Sequence, residues 1–178
     1  PDSERVDTID VQLGGAAKEK DKEKTPDPIV IDRFYFKEDY TGYVRRKRQH
    51  LYLFELATRT LRQLTQGQSD DRLPSWSPDG QYLVFSSKSA GQDPDRHDNW
   101  DLYVIQAEPA AVARQLTTFT GPDNHPDRES RPAWSPDGRF IAYLQGGPDS
   151  LIYYAAPRLA LIPWGASGSP TLLTASLD

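Results

Sequence analysis

Three polar stretches carry most of the side chains that could do chemistry in this 178-residue chain. Arg45-Arg46-Lys47-Arg48, between Tyr43 and His50, sets four cations in a row. Arginine pairs with planar anions through two parallel hydrogen bonds, so such a run could grip a phosphate or a substrate carboxylate. Ser89–Asn99 holds Asp93, Asp95, His97 and Asp98, with Asp101 just beyond it. That carboxylate density could hold a calcium ion, although the calcium-loop pattern with its glycine is absent. Thr120–Ser130 holds Asp123, Asn124, His125, Asp127, Arg128 and Glu129, and a long polar insertion of this kind is a place where a ligand could dock. Each stretch also has a plainer use. The cations suit a charged hairpin tip or a guarded strand edge, and loop aspartates commonly cap local backbone donors. His50, His97 and His125 are too scattered in sequence to name a metal cluster.

Catalytic motifs are missing. A serine nucleophile of the α/β-hydrolase type needs Gly-x-Ser-x-Gly on a strained strand-to-helix turn. Gly165-Ala166-Ser167-Gly168-Ser169 comes nearest and fails at its fifth position. There is no phosphate-binding loop, no Gly-x-Gly-x-x-Gly and no cysteine. No catalytic, cofactor-binding or metal-ligating residue is therefore assigned, and no cofactor is expected.

The elements that must position these loops repeat. Leu73-Pro74-Ser75-Trp76-Ser77-Pro78-Asp79-Gly80-Gln81-Tyr82-Leu83-Val84-Phe85 aligns with Arg131-Pro132-Ala133-Trp134-Ser135-Pro136-Asp137-Gly138-Arg139-Phe140-Ile141-Ala142-Tyr143. A second unit, an apolar tetrapeptide followed later by Leu-Thr, occurs as Leu51–Phe54 with Leu64-Thr65, Leu102–Ile105 with Leu116-Thr117, and Leu159–Ile162 with Leu173-Thr174. The combined period is roughly 50–60 residues, near that of propeller blades and too long for common helical repeats.

Ser-Pro-Asp-Gly is a tight hairpin: proline presets φ, aspartate tolerates the next position, and glycine takes the left-handed conformation that rejoins the strand. The strands after it, Tyr82–Ser86 and Phe140–Leu144, are apolar at nearly every position and so are expected to be buried on both faces. A propeller blade, stacked between two neighbours, provides that burial, with the hairpin tryptophan in the stack.

The expected fold is all-β: a β-propeller fragment with about two complete four-stranded blades plus a partial one. One blade spans 74–117, with strands Pro74–Ser77, Gln81–Ser86, Asp101–Gln106 and Arg114–Leu116. The other spans 132–174, with strands Ala133–Ser135, Arg139–Leu144, Arg158–Pro163 and Thr171–Thr174. A partial blade over 29–65 has strands Ile29–Phe36, Leu51–Leu56 and Gln63–Thr65. Residues 1–28 read as a strand at Val6–Leu13 followed by a charged linker or loop, with a short helix through Lys18–Lys24 as the alternative. A β-sandwich with two similar hairpins is the competing architecture.

A propeller typically closes with about four to eight blades. The chain is therefore expected to be a piece of a longer polypeptide, since an open stack leaves an apolar blade face in water. A net charge of −5, with both signs interspersed, gives no reason to expect nucleic acid or a membrane surface as partner. The longest uncharged run, Leu159–Leu177, is broken by Pro163, Gly165, Gly168 and Pro170, which argues against a spanning helix.

Pro-x-Trp-Ser-Pro-Asp-Gly with its following strand, then Asp101-Leu102-Tyr103-Val104 and Arg114-Gln115-Leu116-Thr117, resembles the propeller repeat shared by TolB and by the N-terminal domains of prolyl oligopeptidase-family serine peptidases. Val30-Ile31-Asp32-Arg33, Tyr40-Thr41-Gly42-Tyr43, Arg48-Gln49-His50-Leu51-Tyr52 and Asp93–Tyr103 together look like acylaminoacyl-peptidase-type members. The resemblance covers the chain from about Pro26 onward and only the propeller part. It implies partners in the remaining blades and in an α/β-hydrolase domain that carries the triad, a peptide substrate, and a role in capping and gating. It implies a cytoplasmic location, or a periplasmic one for a TolB-like protein-binding module without activity. Self-assembly of copies into a closed ring is a further alternative.

Overall fold

The structure, a computed structural model, describes residues 28–44, 46–88, 93–151, 154–165 and 169–176. The described residues from Ile31 onward belong to one compact unit. The strand expected at Val6–Leu13 and the alternative helix at Lys18–Lys24 lie outside the described residues.

The described residues of the compact unit form antiparallel strands in four small sheets. A two-residue-per-strand hairpin pairs β1 (Lys37–Glu38) with β2 (Gly42–Tyr43). β3 (Tyr52–Glu55) pairs with β4 (Thr60–Gln63). The middle blade runs in sheet order β5 (Asp71–Trp76), β6 (Tyr82–Lys88), β7 (Trp100–Gln106) and β8 (Arg114–Gln115). The last blade repeats it with β9 (Ala133–Trp134), β10 (Phe140–Gln145), β11 (Arg158–Pro163) and β12 (Thr171–Leu172). The strand expected over Ile29–Phe36 does not form: its backbone bends at 33–35 and belongs to no sheet. Arg33 is drawn into a paired contact with Asp95, and that side-chain anchor replaces a ladder.

The repeated motif folds twice into one turn. Ser77 Oγ donates to Asp79 Oδ1 at 2.5 Å and accepts from the Tyr82 N–H at 2.9 Å, while Asp79 Oδ1 also accepts from the Gln81 N–H at 3.0 Å. Ser135, Asp137, Arg139 and Phe140 reproduce these bonds at 2.6, 2.9 and 3.1 Å. Gly80 and Gly138 sit at φ 69° and 70°, a conformation that costs a residue with a Cβ.

The Leu-Thr unit has its own device. The hydroxyls of Thr65, Thr117 and Thr174 each accept, at 2.9 Å, from the N–H of Leu51, Leu102 and Leu159. The carbonyl of each of those leucines accepts the N–H of the leucine before the threonine at 2.7–2.8 Å. Threonine thus completes the ladder where the outer strand leaves the sheet, and at Leu51 and Leu102 it satisfies a buried donor.

Two apolar layers hold the sheets face to face. Leu51 and Leu64 pack with Leu83, Phe85 and Ile105. On the other face of the middle blade, Val84, Leu102 and Val104 pack with Ile141, Tyr143, Ala160 and Ile162. β6 is therefore buried on both faces over Leu83–Ser87. β10 is not. Ile141 and Tyr143 are buried, whereas Phe140, Ala142 and Leu144 are half-buried, because no sheet among the described residues covers their side. The expectation of two-sided burial for Phe140–Leu144 is corrected accordingly.

Candidate functional site

Strand direction decides where the polar stretches go. β6 ends at Lys88 opposite Trp100, the first residue of β7, and Ser87 lies opposite Asp71 at the start of β5. The loop at 93–99, the segment from Thr117 to β9 and the approach to β3 all leave from this one end of the blades. The two Ser-Pro-Asp-Gly turns occupy the other end.

At the loop end, side chains join the three segments. Arg33 donates from Nε to Asp95 Oδ2 at 2.8 Å and from Nη2 to Oδ1 at 2.6 Å, and Arg48 donates from Nη1 to the same Oδ1 at 2.8 Å. Burial opposes the Asp95 carboxylate, but the bonds and charges of Arg33 and Arg48 overcome it and hold its pKa down at about 2. Arg48 also faces Asp70 at 3.7 Å.

Next to this cluster, Asp98 Oδ1 accepts from Trp100 Nε1 at 3.0 Å and Asp98 Oδ2 meets His125 Nε2 at 2.8 Å. His125 Nδ1 accepts from the Asp127 N–H at 3.1 Å at the start of the 3-10 turn Pro126–Arg128. Nδ1 is thereby an acceptor, which leaves Nε2 to donate to Asp98. Lys88 lies 3.6 Å from Asp98 and 5.3 Å from the centre of the Trp100 ring. Burial pushes the Asp98 carboxyl up, and His125, Trp100 and Lys88 more than reverse that, so it stays below its ordinary value.

Arg72 arrives by a different route. β5 carries a bulge between Arg72 and Ser75, with Leu73 at φ 55°. Bulges re-aim side chains and cluster beside functional sites. Here Arg72 Nη2 lies 3.8 Å from Glu38 Oε1, and its buried Nε has no acceptor. Arg72, Arg48, Lys88, Trp100, Phe34 and Tyr35 help line an open cleft of about 410 Å³. Its chemistry is that of recognition: aromatic walls, held charges and one incompletely paired guanidinium.

The structure sorts the sequence candidates. His125, Asp127, Asp95, His97 and Asp98 line the cleft with Arg48. Asp93 accepts the Asp95 N–H at 3.0 Å, the local capping use. Arg46 pairs with Asp32 at the surface, and Arg45 lies outside the described residues. His50 stands apart, 3.0 Å from Asp71. Asp101, Asp123 and Asn124 are buried and face the interior. Glu129 only ends the 3-10 turn, at φ 55°. Among the described residues, no group of three or more histidine, aspartate or glutamate side chains is arranged to hold a metal ion. The sequence reading passed over Arg72 and Lys88, which sit inside strands. The irregular Leu73-Pro74 in a strand was the available signal for Arg72.

Four-stranded sheets stacked in sequence order, with loops gathered at one end, define a β-propeller fragment. Residues 32–150 match the dipeptidyl peptidase IV N-terminal region, and the chain belongs to that family. It is 30% identical over 109 residues to the uncharacterized peptidase YuxL of Bacillus subtilis, covering 59% of this chain and 16% of that protein. It is 36% identical over 69 residues to the Tol-Pal system protein TolB of Francisella tularensis, covering 39% of this chain and 13% of that protein. Among solved structures, putative TolB from Agrobacterium tumefaciens matches with a TM-score of 0.50 at 17% identity, over 69% of this chain and 40% of that one. The chain thus spans a small part of the curated relatives that it matches. Among the described residues, no helix is long and apolar enough to cross a membrane.

Proposed function

We propose that this chain is a non-catalytic part of the N-terminal propeller of an acylaminoacyl-peptidase-like serine peptidase, where it caps and gates a separate α/β-hydrolase domain. Its domains in that reading are the partial blade at 29–65 and the blades at 74–117 and 132–174, preceded by a linker over 1–28. The observation that carries the reading is membership of a peptidase N-terminal family together with a cleft of held charges and aromatics at one end of rigid blades. Packed blades deform little, so they exclude folded proteins, while the cleft meets short peptides. A cytoplasmic location goes with this role.

The test is the complete reading frame. The full-length protein is expected to cleave short N-acylated peptides, to spare folded proteins and to be inactivated by a serine-directed phosphonate. This chain alone is expected to give no turnover. Arg72→Ala in the full-length protein is expected to raise KM severalfold with kcat nearly unchanged, the signature of lost uniform binding. A reading frame with no downstream Gly-x-Ser-x-Gly and no peptidase activity overturns the proposal. It would favour a TolB-like protein-binding propeller, a reading supported by the match to TolB over 69 residues.

A further inference from the structure

Between the two complete blades runs a short segment, Gly121–Asn124, that is stitched to both. The Asp123 N–H donates to the Trp100 carbonyl at 2.6 Å on the middle blade, and the Asn124 N–H donates to the Leu144 carbonyl at 2.6 Å on the last. The Gly146 N–H returns a bond to the Pro122 carbonyl at 2.7 Å. The Asn124 amide donates to Ser86 Oγ at 3.2 Å and to the Ser130 carbonyl at 2.8 Å, and Ser86 Oγ donates to the Asn124 carbonyl at 3.0 Å. The segment crosses the last blade so closely that a Cβ on Gly121 would lie 2.0 Å from the Gly147 carbonyl oxygen.

The side chain of Asp123 lies in this seam with 0% exposure. Its Oδ1 accepts from Gln145 Nε2 at 3.0 Å, its Oδ2 has no partner at hydrogen-bond distance, and Thr117 and the Phe119 backbone also act on the carboxyl in favour of its ionised form. A second carboxylate, Asp101 of β7, is also fully buried and accepts from Gln115 at 3.0 Å and Thr117 at 3.4 Å. The titratable groups acting on Asp123 are Asp101 from β7 and, from β10, Tyr143, whose hydroxyl is itself pushed up by burial, Asp123 and Asp101. The register sets Arg158 of β11 opposite Gln145, and His125 turns away to Asp98. The charge that acts on the Asp123 carboxyl is that of Asp101, which raises it. A buried anion with one unpartnered oxygen and a like charge beside it is costly, and a proton removes that cost.

We propose that Asp123 is a protonation-controlled clasp between the two complete blades, closed when its carboxyl carries a proton and weakened when that proton leaves to solvent. Burial pushes this carboxyl up to about 6, polar contacts with Gln145, Thr117 and the Phe119 backbone offset part of the rise, and Asp101 adds to it. A raised folded-state value means that the stabilisation is complete below the ordinary carboxylate range and is lost as pH rises through about 6. The seam therefore tightens on mild acidification, opposite to the usual response of paired acids such as Asp95.

Two measurements on this chain decide the matter. Carbon-13 NMR of the aspartate carboxyls should show Asp123 titrating near pH 6, and a midpoint at or below about 4 overturns the clasp. Urea unfolding of the parent and of Asp123→Asn, which mimics the protonated acid, should diverge with pH. From about pH 5 to about pH 8 the parent should lose about tenfold in its folded-to-unfolded ratio relative to the variant. Parallel profiles overturn the proposal, and should Asp123→Asn fail to fold, the NMR midpoint decides alone. Loss of the parent's pH response on adding calcium chloride also overturns it, since the two carboxylates would then be holding a metal.

Discussion

The two complete blades share a sequence motif and a turn but not an environment. In the middle blade, Leu83–Ser87 is buried without a break. In the last blade the equivalent strand alternates between buried and half-buried residues. The tryptophans divide in the opposite sense. Trp134 of the last blade meets the edge of Trp164 at 5.3 Å and donates its indole N–H to the Ser75 carbonyl of the middle blade at 3.3 Å. Trp76 of the middle blade is 50% exposed, since the sheet before it, β3 with β4, offers no inner strand for it to reach. Trp134 is thus a hook toward the preceding blade, and Trp76 is not. Burial within a blade follows from its neighbours, and the turn follows from its own residues.

The contrast can be broken most sharply at the phenylalanines. Phe85→Ala should cost about 3–4 kcal/mol, because it opens a cavity between two packed layers. Phe140→Ala on the open face should cost about 1 kcal/mol, and equal losses in urea unfolding would show that the last blade is covered as fully as the middle one. The ladder-ending threonines should differ less. Thr117→Val leaves the buried Leu102 N–H without its acceptor and should cost about 2 kcal/mol, while Thr174→Val, at an exposed position, should cost about 0.5 kcal/mol. A larger loss for Thr174 in thermal melts would reverse the ranking. The smallest expected difference is in the turns. Ser77→Ala and Ser135→Ala should each cost about 1 kcal/mol, and by the same amount, because the bonds lost are local. Unequal losses would mean that the turn depends on its blade after all.

Much of the architecture was legible in the chain. The length of the Trp-Ser-Pro-Asp-Gly match and the recurrent Leu-Thr pairs required a repeated small sheet, and Arg158–Pro163 forms a strand over the expected residues. Ile29–Phe36 misled, because its apolar residues suggest a strand while its one decisive side chain, Arg33, has a partner 62 residues away. The candidate site was half legible. The polar insertions announced themselves, but their division into cleft residues such as His125 and seam residues such as Asp123 did not, although only Asn124 separates the two.

What the sequence determined by itself was local: turn chemistry, strand periodicity and the threonine that ends each ladder, all set by bonds between residues near in the chain. The tertiary structure decided which strands are covered twice, which loops meet and which aspartates lose their water. Those outcomes depend on distant segments brought together by antiparallel strand direction. The same residue type therefore gives Asp95 a carboxyl held at about 2 by two arginines and Asp123 one raised to about 6 by burial.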